Sequence, residues 1–175
     1  MPSRVALPPL WWAESPNQSS RNGQRIMGVV IHETQGGYAG AVSWLRNPAA
    51  DASAHVVLSE DGSRCTQLVP WGRKAWHAVN ANPYTLGLEL AGHEGTRNDP
   101  RQLARAARIT AWWCQEFGIP VQFAERGWGG ICRHEDLGAF GGSHHDPGGF
   151  SWEWFLGLVR NQARLGGFRD RWGRY

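Results

Sequence analysis

The sequence predicts an α/β fold in which a central mixed β-sheet is flanked by helices. Three observations predict it. Residues 26–31 are a nearly continuous apolar run, short enough to be a buried central strand. Residues 55–69 read as two strands around Glu60-Asp61-Gly62-Ser63, where Asp-Gly is a strong hairpin signal. Residues 100–117 and 152–165 read as capped helices that follow and interleave with further strand signals.

Taken in order, residues 1–24 are rich in Pro, Ser and Asn after Trp11-Trp12 and read as an irregular N-terminal arm. The central strand then carries His32 at its C-terminal end, where α/β folds commonly place sites. Gly36-Gly37 breaks the chain, and residues 39–46 form a short helix that stops near Asn47-Pro48. After the hairpin, residues 85–90 alternate loosely as one more strand. Asp99 suits an N-cap, Pro100 the first helical position and Gly118 the stop of the long helix. Leu103, Ala106, Ala107, Trp113 and Phe117 can line its buried side. Residues 126–150 are glycine-rich and read as a long functional loop region. Ser151 caps the last helix, and a basic tail follows from residue 167. The catalytic domain is therefore expected over residues 25–166, between the arm and residues 167–175.

At 175 residues the chain is one domain with room for a core. No stretch approaches the roughly 18 apolar residues of a membrane span. The N-terminus lacks the apolar segment of a signal peptide, so synthesis in the cytoplasm is expected. Cys65, Cys114 and Cys132 are too few and too irregularly spaced for a disulfide framework or a zinc ribbon, and read as packed thiols. Net charge is +3, and the eighteen basic residues, all arginine but Lys74, are scattered. That pattern excludes a contiguous nucleic-acid patch while allowing steering toward an anionic polymer. A monomer that binds neither nucleic acid nor membrane is expected.

The chemistry-bearing residues lie late in the chain, in Arg133-His134-Glu135 and Ser143-His144-His145-Asp146-Pro147-Gly148. With His32 far upstream they supply two imidazoles and a carboxylate, a set that suits zinc. Three protein ligands leave the fourth tetrahedral position to water, as in catalytic rather than structural sites. His32, His134 and Asp146 are thus the candidate ligands of one zinc ion per chain. Plainer readings compete: a satisfied core histidine for His32, and a cap or Asx turn for Asp146. His144 could reach the same pocket and stabilise a developing oxyanion. His145 points elsewhere if the segment is extended and is given no role, although it could compete as a ligand.

Glu89 sits among apolar residues in Gly87-Leu88-Glu89-Leu90, where a carboxylate is costly unless paired or used. It reads either as a general base whose pKa is raised by burial or as half of a buried ion pair with an arginine. His55 and His77 could line the cleft and bind substrate, or serve structure alone. Among the eleven tryptophans, Trp76, Trp128 and Trp44 are candidates for stacking on sugar or peptide.

Val30-Ile31-His32-Glu33-Thr34, Ser53-Ala54-His55-Val56-Val57-Leu58, Asp61-Gly62, Ala75-Trp76-His77-Ala78, Leu86-Gly87-Leu88-Glu89-Leu90 and His134 with His144-His145-Asp146-Pro147-Gly148 occur in this order. Together they resemble the zinc-dependent N-acetylmuramoyl-L-alanine amidases. That family includes phage endolysins, a cytoplasmic muropeptide-recycling branch and the animal peptidoglycan recognition proteins. The likeness spans residues 26–160. It implies a zinc cleft above the sheet and hydrolysis of the amide between the lactyl group of N-acetylmuramic acid and L-alanine. His32, His134 and Asp146 fall on the ligand positions, and Glu89 on a catalytic glutamate of the recycling branch. His144 replaces a lysine that assists catalysis in many members. Ala54 stands where some phage members carry a catalytic tyrosine, which shifts the base role to Glu89. Peptidoglycan or a muropeptide is the implied substrate. An endolysin released to the wall by a holin is the expected setting, with muropeptide recycling or a non-catalytic binding domain as alternatives.

Overall fold

The computed structural model describes residues 4–93 and 95–167. Six strands form one mixed sheet: β1 (Trp11–Trp12), β3 (Gly28–Glu33), β4 (Val56–Leu58), β5 (Cys65–Gln67), β7 (Thr85–Leu90) and β8 (Gly130–Arg133). Their order is β1-β5-β4-β7-β3-β8. The pairings are parallel except for the antiparallel β4–β5 hairpin. A separate antiparallel pair joins β2 (Gln18–Ser20) to β6 (Arg73–Ala75). The helices are α1 (Tyr38–Leu45), α2 (Pro100–Phe117) and α3 (Trp152–Leu165).

Strand alternation sorts the chain into a core face and a site face. Val29 and Ile31 of β3, Val56 and Leu58 of β4, and Leu86, Leu88 and Leu90 of β7 pack with α2 and α3 in the largest apolar cluster. Each such side chain, fully buried, stabilises the fold by roughly 1.5–3 kcal/mol. The intervening positions face the other way. Val57 packs with Tyr38 and Leu45 of α1, and Val30 packs with Ala78, Ala81 and Leu137. His32 and Glu89 share this second face and are register partners across β3 and β7.

Local signals explain the helices. Asp99 accepts from the backbone N–H of Arg101 at 2.8 Å, Pro100 opens α2, and Gly118 ends it. The Ser151 hydroxyl accepts from the Trp154 N–H at 3.3 Å to start α3. Helix α1 has no capping side chain of its own; Glu60, from the β4–β5 turn, accepts from the Tyr38 N–H at 3.0 Å.

Three expectations need correction. The arm is not irregular: β1 extends the main sheet beyond β5, and β2 pairs with β6 in a separate two-stranded sheet, because the open backbone of β5 and β6 accepts short partners. The central strand runs over Gly28–Glu33, two residues later than the apolar run, so His32 lies within it. The glycine-rich region contains β8 and a 3₁₀ segment, Glu135–Gly141, where glycines fit the close approach to β3 and the tight turns. The three cysteines are free and buried, as the spacing implied. Among the described residues no helix is long and apolar enough to cross a membrane. Residues 168–175 of the basic tail lie outside the described residues.

Candidate metal centre and catalytic cleft

The parallel strands β3, β7 and β8 deliver one functional residue each at, or just past, their C-terminal ends: His32, Glu89 and His134. The His134 N–H continues the β3–β8 ladder by donating to the Ile31 carbonyl at 3.0 Å. Asp146 returns through a cis Asp146–Pro147 bond. Its Oδ2 accepts from the Glu33 N–H at 3.0 Å, and its carbonyl accepts from the Glu135 N–H at 2.9 Å. Backbone therefore fixes all three candidate ligands, and all three are buried.

One ligand atom from each of His32, His134 and Asp146 lies within 4.8 Å of the others. The two histidines present Nδ1 to each other at 3.0 Å, and Asp146 Oδ1 lies 3.1 Å from His134 Nδ1. The hydrogen-bond chemistry tests whether a cation fits. His134 Nε2 lies 3.0 Å from the Gly141 carbonyl, which can only accept, so Nε2 carries the hydrogen and Nδ1 is bare. Burial pushes the Asp146 carboxyl up. Its contacts with His134 and His32 and the hydrogen bond from the Glu33 N–H outweigh that and hold the carboxyl down at about 2. It is an acceptor at any ordinary pH. Burial, then the neighbouring His134 and His77, hold the His32 imidazole well below its usual range, so a proton is disfavoured there. Lone pairs converging in a buried site repel unless a cation lies between them. A divalent metal that prefers N and O donors fits.

These residues line a cleft of about 440 Å³, shared with Glu89, Trp76, His77 and His144. Glu89 is half-buried on β7, and its Oε2 has no hydrogen-bond partner. Burial raises its carboxyl, and Asp146 and Glu33 raise it further, to about 8. Among the described residues the carboxyl has no arginine partner of the kind that would make it half of an ion pair. The His144 ring stacks on that of His134, with centroids 4.2 Å apart and planes 14° apart, and its side chain is 57% exposed. Burial and then His134 lower its imidazole below the ordinary range. His145 is exposed and does not line the cleft.

Of the three residues expected to meet substrate, Trp76 lines the cleft. Its indole N–H is committed to the Ser19 hydroxyl at 3.0 Å, which leaves the ring as its contact surface. His77 lines the cleft too, but both its ring nitrogens have protein partners: His32 Nε2 at 2.9 Å and the Thr85 hydroxyl at 3.3 Å. His55 does not reach the cleft. It is 0% exposed, accepts from the Gly87 N–H at Nδ1, and holds the Arg73 carbonyl with Nε2 at 3.2 Å. Trp44 and Trp128 are exposed elsewhere.

Sequence reasoning missed Arg21 and Asn82. The buried Arg21 guanidinium donates to the carbonyls of Trp71, Asn82, Pro83 and Thr85, and burial lowers its pKa to about 10. Asn82 Oδ1 accepts from the N–H groups of His77 and Ala78 at 2.9 and 2.6 Å. Together they hold the segment that carries Trp76 and His77. Only the tertiary structure reveals them, since their partners are mostly backbone atoms, with the His55 ring 2.9 Å from Arg21 Nη2 the exception.

The profile of the family described as Amidase_2, N-acetylmuramoyl-L-alanine amidase, matches residues 22–149. N-acetylmuramoyl-L-alanine amidase A of Achromobacter lyticus is 33% identical over 123 residues, which is 67% of this chain and 68% of that protein. The structure of Staphylococcus aureus hydrolase AmiA in complex with its ligand aligns with a TM-score of 0.77 at 22% identity, covering 93% of this chain and 88% of the other. A mutant endolysin from Bacillus subtilis aligns with a TM-score of 0.67 at 16% identity, covering 86% and 98%. At these identities the two structures speak for the fold. The profile, spanning most of the chain, and the Achromobacter relative carry the assignment: the chain belongs to the N-acetylmuramoyl-L-alanine amidase family.

Proposed function

We infer that the protein is a zinc-dependent amidase that cleaves the bond between N-acetylmuramic acid and L-alanine in peptidoglycan, acting as a monomeric phage endolysin. The observation that carries the reading is one cleft holding a cation-demanding His-His-Asp set beside a glutamate kept protonated by burial. His32, His134 and Asp146 would hold the zinc. When bound, it supplies Lewis acidity, which acidifies water and polarises a carbonyl.

The chain's own residues do the rest. Glu89, lowered from about 8 toward neutrality by a nearby cation, is suited to take a proton from the attacking water. As the C–O bond forms and the C–N bond breaks, the same carboxyl returns that proton to the leaving amine of L-alanine. His144, neutral at pH 7, can donate an N–H to the oxygen that gains charge. The Trp76 ring offers a face for the sugar or the stem peptide.

The lytic setting, with holin release to the wall, is part of this proposal; the Bacillus subtilis endolysin shares the fold. Muropeptide recycling is the competing setting. The test pairs zinc content with mass spectrometry of products from intact purified peptidoglycan, beside a His134→Ala control. About one zinc per chain, and stem peptides beginning at L-alanine that vanish in the variant, are expected. Cuts inside the stem peptide would refute the amidase reading. Cleavage of soluble muropeptides alone, with intact wall untouched, would refute the endolysin setting.

A further inference from the structure

A hydrogen-bond chain leads from the candidate ligand His32 away from the cleft, and its polarity can be read from the far end. The Ala81 carbonyl can only accept, so the Thr85 hydroxyl, 2.7 Å away, spends its proton there. The Thr85 oxygen then accepts from His77 Nε2 at 3.3 Å, which must carry the hydrogen. A neutral imidazole with its hydrogen on Nε2 has a bare Nδ1. His77 Nδ1 lies 2.9 Å from His32 Nε2 and so accepts from it. His32 in turn is left with a bare Nδ1, the atom that faces His134 and Asp146.

We propose that His77 is a positioning residue, which fixes the tautomer and ring orientation of His32 so that its Nδ1 lone pair faces the metal site. The structure is built around this ring. It crosses the His32 ring edge-to-face at a centroid distance of 5.0 Å. It lies directly over Gly87, where any Cβ would come within 2.7 Å of its ring atoms. Asn82 clamps its backbone N–H. The other candidate histidine ligand, His134, reaches the same end through a carbonyl, that of Gly141. His32 has an imidazole, that of His77, where His134 has a carbonyl. Outer partners of this kind orient metal-bound imidazoles and raise their basicity.

The inference rests on the metal reading above, and the experiment separates the two. Long-range ¹H–¹⁵N correlation of the metal-free chain should report Nε2–H for both His32 and His77; Nδ1–H on His77 would overturn the proposal. Zinc affinity, measured by chelator competition, should fall about 10–100-fold in His77→Phe, which keeps a ring but loses the acceptor. His77→Asn, whose amide oxygen can sit near the former Nδ1, should restore most of that loss. Wild-type affinity in His77→Phe would refute the role, and so would equal loss in both variants. Failure of the unsubstituted chain to take up zinc would refute the metal reading, while the tautomers would still decide the hydrogen-bond chain.

Discussion

Glu89→Gln should stabilise the metal-free protein while destroying its activity. The carboxyl has an ordinary value of 4.5 and is raised to about 8 in the fold. A raised carboxyl contributes its full share below pH 4.5 and loses it as pH rises toward 8, because the unfolded chain ionises where the folded chain does not. Between 4.5 and pH 7 lie about 2.5 pH units, at about 1.4 kcal/mol each, so the folded state pays about 3 kcal/mol at neutrality. Glutamine has the same size and never ionises, so it escapes that penalty. Urea unfolding of chelator-treated wild type and variant at pH 5 and pH 8 measures it. The two proteins should differ by less than about 1 kcal/mol at pH 5, and the variant should gain a few kcal/mol by pH 8. With zinc present, the variant should retain its metal, since Glu89 is not in the ligand set, yet lose about 10²–10⁴-fold in kcat. A variant with no pH-dependent gain would refute the buried neutral carboxyl. A loss of activity below tenfold would refute its role as base.

Three further outcomes follow from the same geometry. Gly87→Ala should displace the His77 ring, because the new methyl meets it at 2.7 Å; circular dichroism should stay native while zinc affinity falls. Arg21→Ala should cost at least about 2 kcal/mol in urea unfolding, as four carbonyls lose a charged donor; a smaller change would mean that water replaces it freely. Burial and the Arg21 charge hold the His55 imidazole down at about 3. A depressed histidine keeps its contribution above its ordinary 6.5 and loses it as pH falls toward 3, at up to about 1.4 kcal/mol per unit. His55→Gln should flatten that acid limb of the stability profile.

How much of this was legible follows from where each signal resides. β7, α2 and α3 were read to the residue, because Asp99-Pro100, Gly118 and Ser151 carry their boundaries locally. β1, β2, β6 and β8 were not, because two to four residues have no periodicity to detect and their pairing energy comes from distant partners. In the cleft, the candidate ligands and Glu89 were legible as residue types that are expensive to bury without a use. The distinction among the three expected substrate contacts was not. Trp76 faces the cleft, His77 faces His32, and His55 faces Gly87, and only the tertiary hydrogen bonds separate them.

The β2–β6 pair and the Arg21 pin bear on where this domain can be cut. The family profile begins at residue 22, one residue after Arg21, and leaves β1 and β2 outside it. A fusion or truncation designed to those bounds would keep every candidate ligand yet free the segment bearing Trp76 and His77 from its anchor. Such a protein should bind metal more weakly, because His77 no longer holds His32, and should recognise substrate poorly. The portable unit for engineering with this amidase domain therefore starts before Trp11, with the arm treated as part of the catalytic module rather than as a disposable leader.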